Sequence, residues 1–292
     1  MTDGRITALP CWQGAPRAEP LSGGLSNEIW KVTDDAGAHV LRFGKDYPFH
    51  HVSRAREAMT SRAAHAAGFA PAVEYAAPGV MVTAFVNART WGAAEVCAAP
   101  ARIAALLRRF HHEMPAQISG EAYLFWVFHV IRDYARTLDG AAHADDLPHF
   151  LRLCAALEAV QVPLPIIFGH NDLLPANILE DENRLWLIDY EYAGYSTALF
   201  DLAGAASNAR MSPDQARVLL ESYFDKPADA ALLRAFEAMK CASLLRETMW
   251  AMVSDLHLSA PGADYAAYIT ENRAGLDAQI AVYEAIYGKL LP

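Results

Sequence analysis

The sequence lacks several features that would place it in a specialised class of protein. Its four cysteines are scattered without a CxxC pair or a metal-ligand spacing, so neither disulfides nor a structural zinc site are expected. No apolar run reaches the length of a membrane span, and the first twenty residues have no basic start followed by an apolar stretch. The protein is therefore expected to be cytoplasmic and to have no membrane partner.

Positive charge is also scarce. The chain carries 24 Lys and Arg against 34 Asp and Glu, for a formal net charge of -10. Nucleic acids are bound through clustered basic residues, so no nucleic-acid partner is expected. An acidic field suits a cationic small molecule, although it also serves solubility. The sequence leaves the choice between a monomer and a homodimer open.

What the chain does have is enough apolar material for a sizeable core. Hydrophobic residues make up 53% of the 292 residues and charged residues 20%, which is typical of a packed globular protein. This length exceeds the usual limit of one hydrophobic core, and the sequence shows no repeats. We therefore expect a bilobal body or two domains around a cleft.

The N-terminal part alternates between strand-like and turn-like segments. Residues 28–33 and 39–43 are predicted strands separated by the turn signal DDAG, and residues 52–67 are rich in helix formers. Residues 73–75 and 80–86 are again strand-like and are separated by a Pro-Gly pair. The pattern predicts a small antiparallel sheet that carries one helix.

Beyond residue 90 the pattern becomes mainly helical. Segments near 93–113, 121–138 and 146–160 have helical periodicity, and Ser212 followed by Pro213 marks another helix start. A β-rich interruption, PIIFGH and NILEDENRLWLID, separates the two helical regions. The fold class is therefore predicted as α+β, with an N-terminal lobe at 1–86 and a helical C-terminal lobe at 87–292.

The β-rich interruption contains the densest cluster of polar residues in apolar surroundings. FGHNDLLPANIL has the spacing H-x-D-x4-N, and a second aspartate follows in LWLIDYEYAG. Phosphoryl transfer needs a carboxylate that orients and deprotonates the attacking hydroxyl, and oxygen ligands that hold Mg²⁺ on the phosphates. Asp172 is predicted as the catalytic base, with His170 bracing its loop. Asn177 and Asp189 are predicted as the ligands of Mg²⁺.

Two other interpretations of this cluster are possible. Asp172 and Asn177 could simply cap a turn, as Asp and Asn often do, but all three residues at kinase spacing favour the catalytic interpretation. A two-metal phosphoesterase would need further clusters of His and Asp, and the pair His111 and His112 does not supply them.

The motifs HNDLLPANIL and IDYEYAGYSTALFDLA resemble the catalytic and metal-binding motifs of the choline/ethanolamine kinase family, within the wider aminoglycoside phosphotransferase group. The segments PLSGGLSNEIWKV and HVLRF are similar to the phosphate-loop hairpin of that family and to the strand that bears its basic ATP residue. The resemblance implies a protein-kinase-like bilobal fold, the cofactors ATP and Mg²⁺, and transfer of the γ-phosphoryl group to an alcohol.

The resemblance also assigns roles to residues of the nucleotide site. It places Arg42 on the phosphates in the role that a lysine has in protein kinases, and pairs Arg42 with Glu57 on the following helix. It places the adenine-binding hinge at 81–86, with Phe85 and Val86 as contacts. The residues that it assigns to the phosphate loop are Ser22, Gly23, Gly24, Ser26 and Asn27.

For the acceptor, the resemblance and the aromatic content point to a cationic alcohol. A quaternary ammonium has no N–H to donate, so it is held by aromatic faces and by diffuse negative charge. Tyr192 and Trp250 are predicted as walls of the pocket, with Glu191 and Asp172 as its carboxylates. Choline or a related amino alcohol is the first hypothesis. The segment LLRETMWAMVSD, which bears Trp250 and resembles a C-terminal helix of the family, has one tryptophan where two can occur in the family.

Two further hypotheses stay open. The acceptor could be another cationic alcohol, such as thiamine or an aminoglycoside, which would call for more carboxylates and fewer aromatic residues in the pocket. A catalytically silent nucleotide-binding module would be expected to have lost the base or a metal ligand, and Asp172, Asn177 and Asp189 are all present.

Overall fold

The computed structural model of the chain describes residues 3–21, 28–258 and 264–291. The predicted phosphate loop lies outside the described residues. That part of the nucleotide site, namely Ser22, Gly23, Gly24, Ser26 and Asn27, therefore stays a prediction.

The N-terminal lobe is built on a five-stranded antiparallel sheet with the strand order β1-β2-β3-β5-β4. A short helix, α1 (Gly4–Thr7), precedes it, and one helix, α2 (Arg54–Ala66), connects the third strand to the fourth. The strands are β1 (Arg17–Pro20), β2 (Glu28–Thr33), β3 (Ala38–Phe43), β4 (Val73–Ala77) and β5 (Val80–Ala84). The predicted strands and helix are present, and β1 is a strand that the sequence pattern did not reveal.

Strand β3 shows how the sheet positions the nucleotide site. Leu41 is fully buried in a small core with Ile6, Val32 and Val82. Successive side chains of a strand point to opposite faces, so the side chain of Arg42 lies on the other face from Leu41. There it meets helix α2, whose first turn carries Glu57.

The C-terminal lobe is mainly helical, as predicted. Its helices are α3 (Ala93–Ala98), α4 (Pro100–Glu113), α5 (Val127–Thr137), α6 (Leu147–Ala159), α7 (Ala198–Asn208), α8 (Pro213–Phe224), α9 (Ala230–His257) and α10 (Tyr265–Tyr287). Helix α9 packs against α5, α6, α7 and α10 and is buried on most of its circumference. A helix that is apolar all round is typical of the centre of a larger core. None of the described helices combines the length and the hydropathy that a membrane crossing requires.

Helix α8 illustrates a local signal that the sequence states in full. The side chain of Ser212 accepts a hydrogen bond from the backbone N–H of Gln215, and the side chain of Gln215 accepts one from the N–H of Ser212. This reciprocal capping box, with Pro213 at the first helical position, fixes the start of the helix where it was predicted.

Short strands frame the predicted catalytic loop. They are β6 (Arg89–Thr90), β7 (Ile166–Gly169), β8 (Ile178–Glu180), β9 (Leu185–Leu187) and β10 (Gly194–Thr197). Strands β8 and β9 form the predicted hairpin with β6 along its edge, and β7 pairs with β10. The loop thus leaves β7 and enters β8, and the segment that bears Asp189 runs from β9 to β10. The predicted lobe boundary at 86/87 falls between β5 and β6 and stays a prediction.

One ion-pair cluster in the N-terminal lobe leads to a prediction on stability. The Nδ1 atom of His39 lies 2.6 Å from Oε2 of Glu74, and its Nε2 atom lies 3.0 Å from Oδ1 of Asp34. Burial alone would lower the pKa of His39, but the hydrogen bonds to the two carboxylates raise it overall. The folded protein therefore holds this proton more tightly than the unfolded chain does.

We expect His39→Gln to reduce stability most at low pH. The contribution of the charged imidazole is complete below the unfolded pKa of about 6.5 and is lost as the pH rises through the higher folded pKa. Urea unfolding of both proteins between about pH 6 and about pH 9 should therefore give a difference in the free energy of unfolding that shrinks with pH. A difference that is the same at both ends of this range contradicts the assignment.

Candidate active site

The predicted catalytic loop starts after β7, where the backbone at Gly169 lies close to the side chains of Asn171 and Asp201. A Cβ atom at Gly169 would lie 2.8 Å from Oδ1 of Asn171 and 3.2 Å from Oδ2 of Asp201, so this close approach requires glycine. Asn171 has a positive φ of 62°. Its side-chain amide donates hydrogen bonds to the carbonyls of Tyr192 at 3.1 Å and Gly194 at 3.2 Å. The loop is thereby fastened to the segment that follows Asp189.

Asp201, in the first turn of α7, binds the backbone at the start of the loop. Its carboxylate accepts hydrogen bonds from the backbone N–H groups of His170 at 2.8 Å and Asn171 at 2.7 Å, and it pairs with Nε2 of His111 at 2.8 Å. Burial alone would raise the pKa of Asp201, but the hydrogen bond and charge of His111 lower it overall. Asp201 therefore fastens the start of the loop to helix α7.

The side chain of His170 points toward residues 188–190, which follow β9 and include Asp189 and are called the metal segment below. Its Nε2 lies 2.9 Å from the carbonyl oxygen of Ile188, an acceptor, so Nε2 carries the proton. Burial lowers the pKa of His170, which favours the neutral ring. This hydrogen bond ties the loop to the residue that precedes Asp189, and the role of His170 as a brace of the catalytic loop stays a prediction.

Asp172 and Asn177 lie together at the two ends of the loop. The side-chain amide of Asn177 donates to the backbone carbonyl of Asp172 at 2.9 Å and to its Oδ2 atom at 3.3 Å. Burial raises the pKa of Asp172 well above its usual range, the charge of Arg246 lowers it, and Asp189 and two glutamates raise it further. A carboxyl group whose pKa is perturbed by burial and by specific neighbouring charges is a candidate functional group.

Asp189 follows β9 and has a positive φ of 66°. Its Oδ1 atom lies 3.7 Å from Nη1 of Arg42, is buried, and accepts no hydrogen bond from the part of the chain that the structure describes. Burial, together with the charges of Glu191 and Glu57, raises the pKa of Asp189 to about 7. A buried carboxylate oxygen without a donor is a suitable ligand for a hard cation.

The described residues contain no group of three or more His, Cys, Asp and Glu side chains that could hold a metal ion by themselves. Mg²⁺ at nucleotide sites typically takes one or two protein oxygens, and the phosphates and water supply the rest. Asp189 and the side-chain oxygen of Asn177 fit this requirement in their chemistry. They do not fit a closed structural metal site.

The predicted pair between Arg42 and Glu57 is formed. The Nη1 atom of Arg42 lies 2.5 Å from Oε1 of Glu57; the Glu57 side chain is fully buried and the Arg42 side chain is 11% exposed. Burial alone would raise the pKa of Glu57, but Arg42 and Arg54 lower it overall, so the carboxylate stays charged. A charged partner fixes the guanidinium of Arg42 beside Asp189, where phosphates would lie.

The hinge residues are placed at the end of β5. The N–H of Phe85 donates to the carbonyl of Ala38 at 3.0 Å, so this donor is used within the sheet. The ring of Phe85 lies 4.3 Å from Nζ of Lys31. Phe85 and Val86 are both partly exposed at the end of the strand, and their contact with adenine stays a prediction.

The predicted substrate residues are in contact with one another. The indole N–H of Trp250 donates to the hydroxyl of Tyr192 at 2.8 Å. Each ring, however, has protein over a face: the guanidinium of Arg246 lies 4.4 Å from the centre of the Tyr192 ring, and the His50 ring stacks on Trp250 at 5.1 Å. The aromatic area that is left for a cation is therefore smaller than the sequence alone suggested.

Glu191 lies between the metal segment and Tyr192, but its charge is engaged. Its Oε2 atom accepts a hydrogen bond from Nη1 of Arg54 at 2.7 Å, and the residue is buried. A direct contact between Glu191 and the substrate stays a prediction, and the structure places this carboxylate in an ion pair with the N-terminal lobe.

Sequence reasoning missed four residues of the site, namely Arg54, His111, Arg246 and Glu247. Arg246 is buried and donates to Oε2 of Glu247 at 2.8 Å, while Oε1 of Glu247 accepts from the hydroxyl of Tyr268 at 2.7 Å. One signal was available: Arg and Glu stand side by side in the otherwise apolar stretch ASLLRETMWAMV. Charged residues are rarely buried unless they have a partner or a function.

Solved structures with the same fold define the class. A choline/ethanolamine kinase family protein from Mesorhizobium loti superimposes with a TM-score of 0.74 at 28% identity, covering 94% of this chain and 92% of that one. A spectinomycin phosphotransferase, solved with ADP and spectinomycin, gives a TM-score of 0.60 at 12% identity over 92% of this chain and 94% of that one. The fold is protein-kinase-like, and the protein is a phosphotransferase with an alcohol group as acceptor.

Sequence comparison narrows the class to a family. The family model for choline/ethanolamine kinase matches residues 18–209. A probable ethanolamine kinase from Arabidopsis thaliana is 26% identical over an alignment 273 positions long that covers 80% of this chain and 72% of that protein. The chain belongs to the choline/ethanolamine kinase family, and the resemblance inferred from its motifs is confirmed.

Proposed function

We propose that the protein transfers the γ-phosphoryl group of ATP, with Mg²⁺, to the hydroxyl of choline or a closely related amino alcohol. The observation that carries the proposal is the proximity of Asp172, Asn177, Asp189 and the Arg42–Glu57 pair. These are the parts that phosphoryl transfer needs: a base, metal ligands and a fixed cation for the phosphates.

In this proposal Asp172 positions the acceptor hydroxyl and takes its proton. As the acceptor oxygen bonds to the γ-phosphorus, the bond from that phosphorus to the bridging oxygen breaks and ADP leaves. Arg42 stabilises charge on the phosphates and is held by Glu57. Asn177 and Asp189 would hold Mg²⁺, which neutralises phosphate charge when bound.

Choline is the first candidate because Tyr192, whose pKa is raised by burial and further by the charge of Asp172, forms a hydrogen-bonded aromatic pair with Trp250. Aromatic faces attract a quaternary ammonium that has no N–H to donate. The carboxylates whose charges raise the pKa of Asp172 favour a cationic alcohol, whether its ammonium group is quaternary or primary. The ethanolamine kinase similarity supports the same class of amino alcohols.

Ethanolamine is a second candidate, and the covered ring faces favour it. Arg246 and His50 occupy part of the aromatic surface, while Glu247, which influences the pKa of Asp172, has a carboxylate near the site. A primary ammonium can donate hydrogen bonds to such a carboxylate, whereas a quaternary one cannot.

A panel of alcohols tests the proposal. Formation of ADP is measured with ATP, Mg²⁺ and one alcohol at a time: choline, ethanolamine, thiamine or an aminoglycoside. The proposal predicts that choline or ethanolamine gives the largest kcat/KM. Preference for thiamine or the aminoglycoside would contradict the assigned substrate class, and ADP formation that no alcohol accelerates would contradict the kinase function.

Trp250→Leu tests the contribution of the aromatic wall. The change keeps apolar volume and removes the π-face, which contributes about 2 kcal/mol to holding a cation in a desolvated pocket. KM for choline should rise by about thirtyfold, while KM for ATP should stay nearly constant. Trp126→Leu is a matched control, because the Trp126 indole donates to Glu158 and makes no contact with Tyr192 or His50 among those described. If both Michaelis constants change together, Trp250 is a packing residue and not a substrate wall.

A further inference from the structure

A largely buried arginine joins the two lobes. Arg54 is the first residue of α2, and its Nη1 atom donates to Oε2 of Glu57 in the same helix and to Oε2 of Glu191 in the C-terminal lobe, both at 2.7 Å. The three side chains are 9%, 0% and 8% exposed, so the bridge is shielded from water and salt. Removal of one partner from such a bridge leaves an uncompensated buried charge.

The two ends of this bridge lead to the two predicted ligand sites. Glu57 holds Arg42, the predicted phosphate-binding cation, at 2.5 Å. Glu191 stands two residues after Asp189 and directly before Tyr192. A continuous chain of contacts therefore runs from Arg42 through Glu57 and Arg54 to the segment that joins the metal site to the acceptor pocket.

Arg54 is itself fixed by the connection between β3 and α2. Its backbone N–H donates to Oδ1 of Asp46 at 2.7 Å, and its Nε atom donates to the carbonyl of Lys45 at 3.0 Å. With these bonds its guanidinium is oriented from both sides. A lysine, with a single nitrogen and no planar fork, would not reproduce this geometry.

The same connection also reaches the acceptor side. His50 stacks on Trp250 at 5.1 Å and lies 2.9 Å from the hydroxyl of Ser254, both on helix α9. His51 lies 2.8 Å from the hydroxyl of Tyr123. Residues 44–53, which directly follow the strand that bears Arg42, therefore also contact the helix that bears Trp250.

We propose that Arg54 is a positioning residue that couples nucleotide binding to acceptor binding between the two lobes. This inference rests on the proposed function for the identity of the two ligands. Arg54 does not touch either ligand; it sets the distance between the Arg42–Glu57 pair and the segment from Asp189 to Tyr192. Coupling of this kind is reciprocal, so each ligand must strengthen the binding of the other by the same factor.

The first test is calorimetric. The dissociation constant of choline, or of ethanolamine if the panel selects it, is measured with and without Mg-ADP. The protein should bind the alcohol about fivefold or more tightly when ADP is present, and Arg54→Met should reduce this factor to below about twofold. Arg273→Met is the matched control, because Arg273 forms a two-bond ion pair with Asp146 at 2.6 and 2.7 Å and is not part of the chain of contacts from Arg42 to Glu191. The coupling should persist in that variant.

The second test does not depend on the acceptor. ADP without Mg²⁺ can engage Arg42 without a metal bridge to Asp189, and hydrogen exchange is followed at the backbone amides of Glu191 and Tyr192. ADP should slow this exchange in the protein and in Arg273→Met, and should leave it unchanged in Arg54→Met. If no alcohol is phosphorylated, the proposed function fails while this test still decides the role of Arg54.

A second variant covers the case in which Arg54→Met does not fold. Glu191→Gln keeps Arg54 and its bond to Glu57 but removes the negative charge that Arg54 binds in the C-terminal lobe. It should therefore also abolish the effect of ADP on hydrogen exchange at the backbone amides of residues 191 and 192. Where all variants fold, the double variant of Arg54→Met and Glu191→Gln should be no more impaired in coupling than either single variant. The inference is overturned if Arg54→Met or Glu191→Gln retains the full coupling factor and the full exchange response.

Discussion

Asp172→Asn is expected to slow phosphoryl transfer by about 10²–10⁴-fold, the usual contribution of a positioned general base. The amide has the shape of the carboxylate and keeps an oxygen for the hydrogen bond from Asn177 at 3.3 Å, so the loop should stay folded. It cannot take a proton from the acceptor hydroxyl. Turnover under saturating ATP and alcohol measures the effect, and titration with ADP measures nucleotide binding, which should be nearly unchanged.

The control for this variant is Asp145→Asn, which makes the same chemical change at an exposed aspartate outside the catalytic loop. It should have the activity of the unmodified protein. If the turnover rate of Asp172→Asn is within tenfold of that of the unmodified protein, the assignment of Asp172 as the base is contradicted.

Asp189→Ala is expected to remove most of the benefit that Mg²⁺ gives to nucleotide binding and to reduce turnover at least about a hundredfold, since a metal ion contributes several kcal/mol to transition-state charge stabilisation. Without this carboxylate only the amide oxygen of Asn177 is left among the predicted protein ligands. The affinity for ADP with and without Mg²⁺ measures the effect directly. If Mg²⁺ strengthens ADP binding equally in the variant, Asp189 is not a ligand.

Backbone strain complicates this experiment and suggests a companion variant. Asp189 has a φ of 66°, a conformation that asparagine tolerates and alanine does not favour. Asp189→Asn should therefore keep the fold and still lose the charge that a cation needs. Asp181→Asn, in the turn of the same hairpin, serves as the control, and its response to Mg²⁺ should be normal.

The parts of the fold that could be predicted from the sequence are those set by local signals. Strands β2 and β3 were placed within one residue because a turn signal separates two β-prone runs, and the start of α8 was placed by its cap. The catalytic motif was visible because its residues lie within one loop and one hairpin. Short-range spacing was enough to bring Asp172 and Asn177 together.

The parts that could not be predicted depend on contacts between distant segments. Strand β6 has two residues and exists because it pairs with β8, about ninety positions away, a partner that periodicity does not encode. Arg246, on α9, lies over the ring of Tyr192, which follows the metal segment. The sequence therefore indicated the ring but not that the guanidinium of Arg246 covers one of its faces. Similarly, Glu191 was expected at the substrate, and its pairing with Arg54 became visible only when α2 was placed against the C-terminal lobe.

Phosphorus NMR of the protein with ATP, Mg²⁺ and choline or ethanolamine tests the central claim most directly. If the protein is a kinase for an amino alcohol, a phosphomonoester resonance grows with one of the two alcohols, with one ester formed for each ADP, and neither product accumulates at a comparable rate with Asp172→Asn. If ADP appears together with inorganic phosphate and no ester forms with either alcohol, the claim is contradicted.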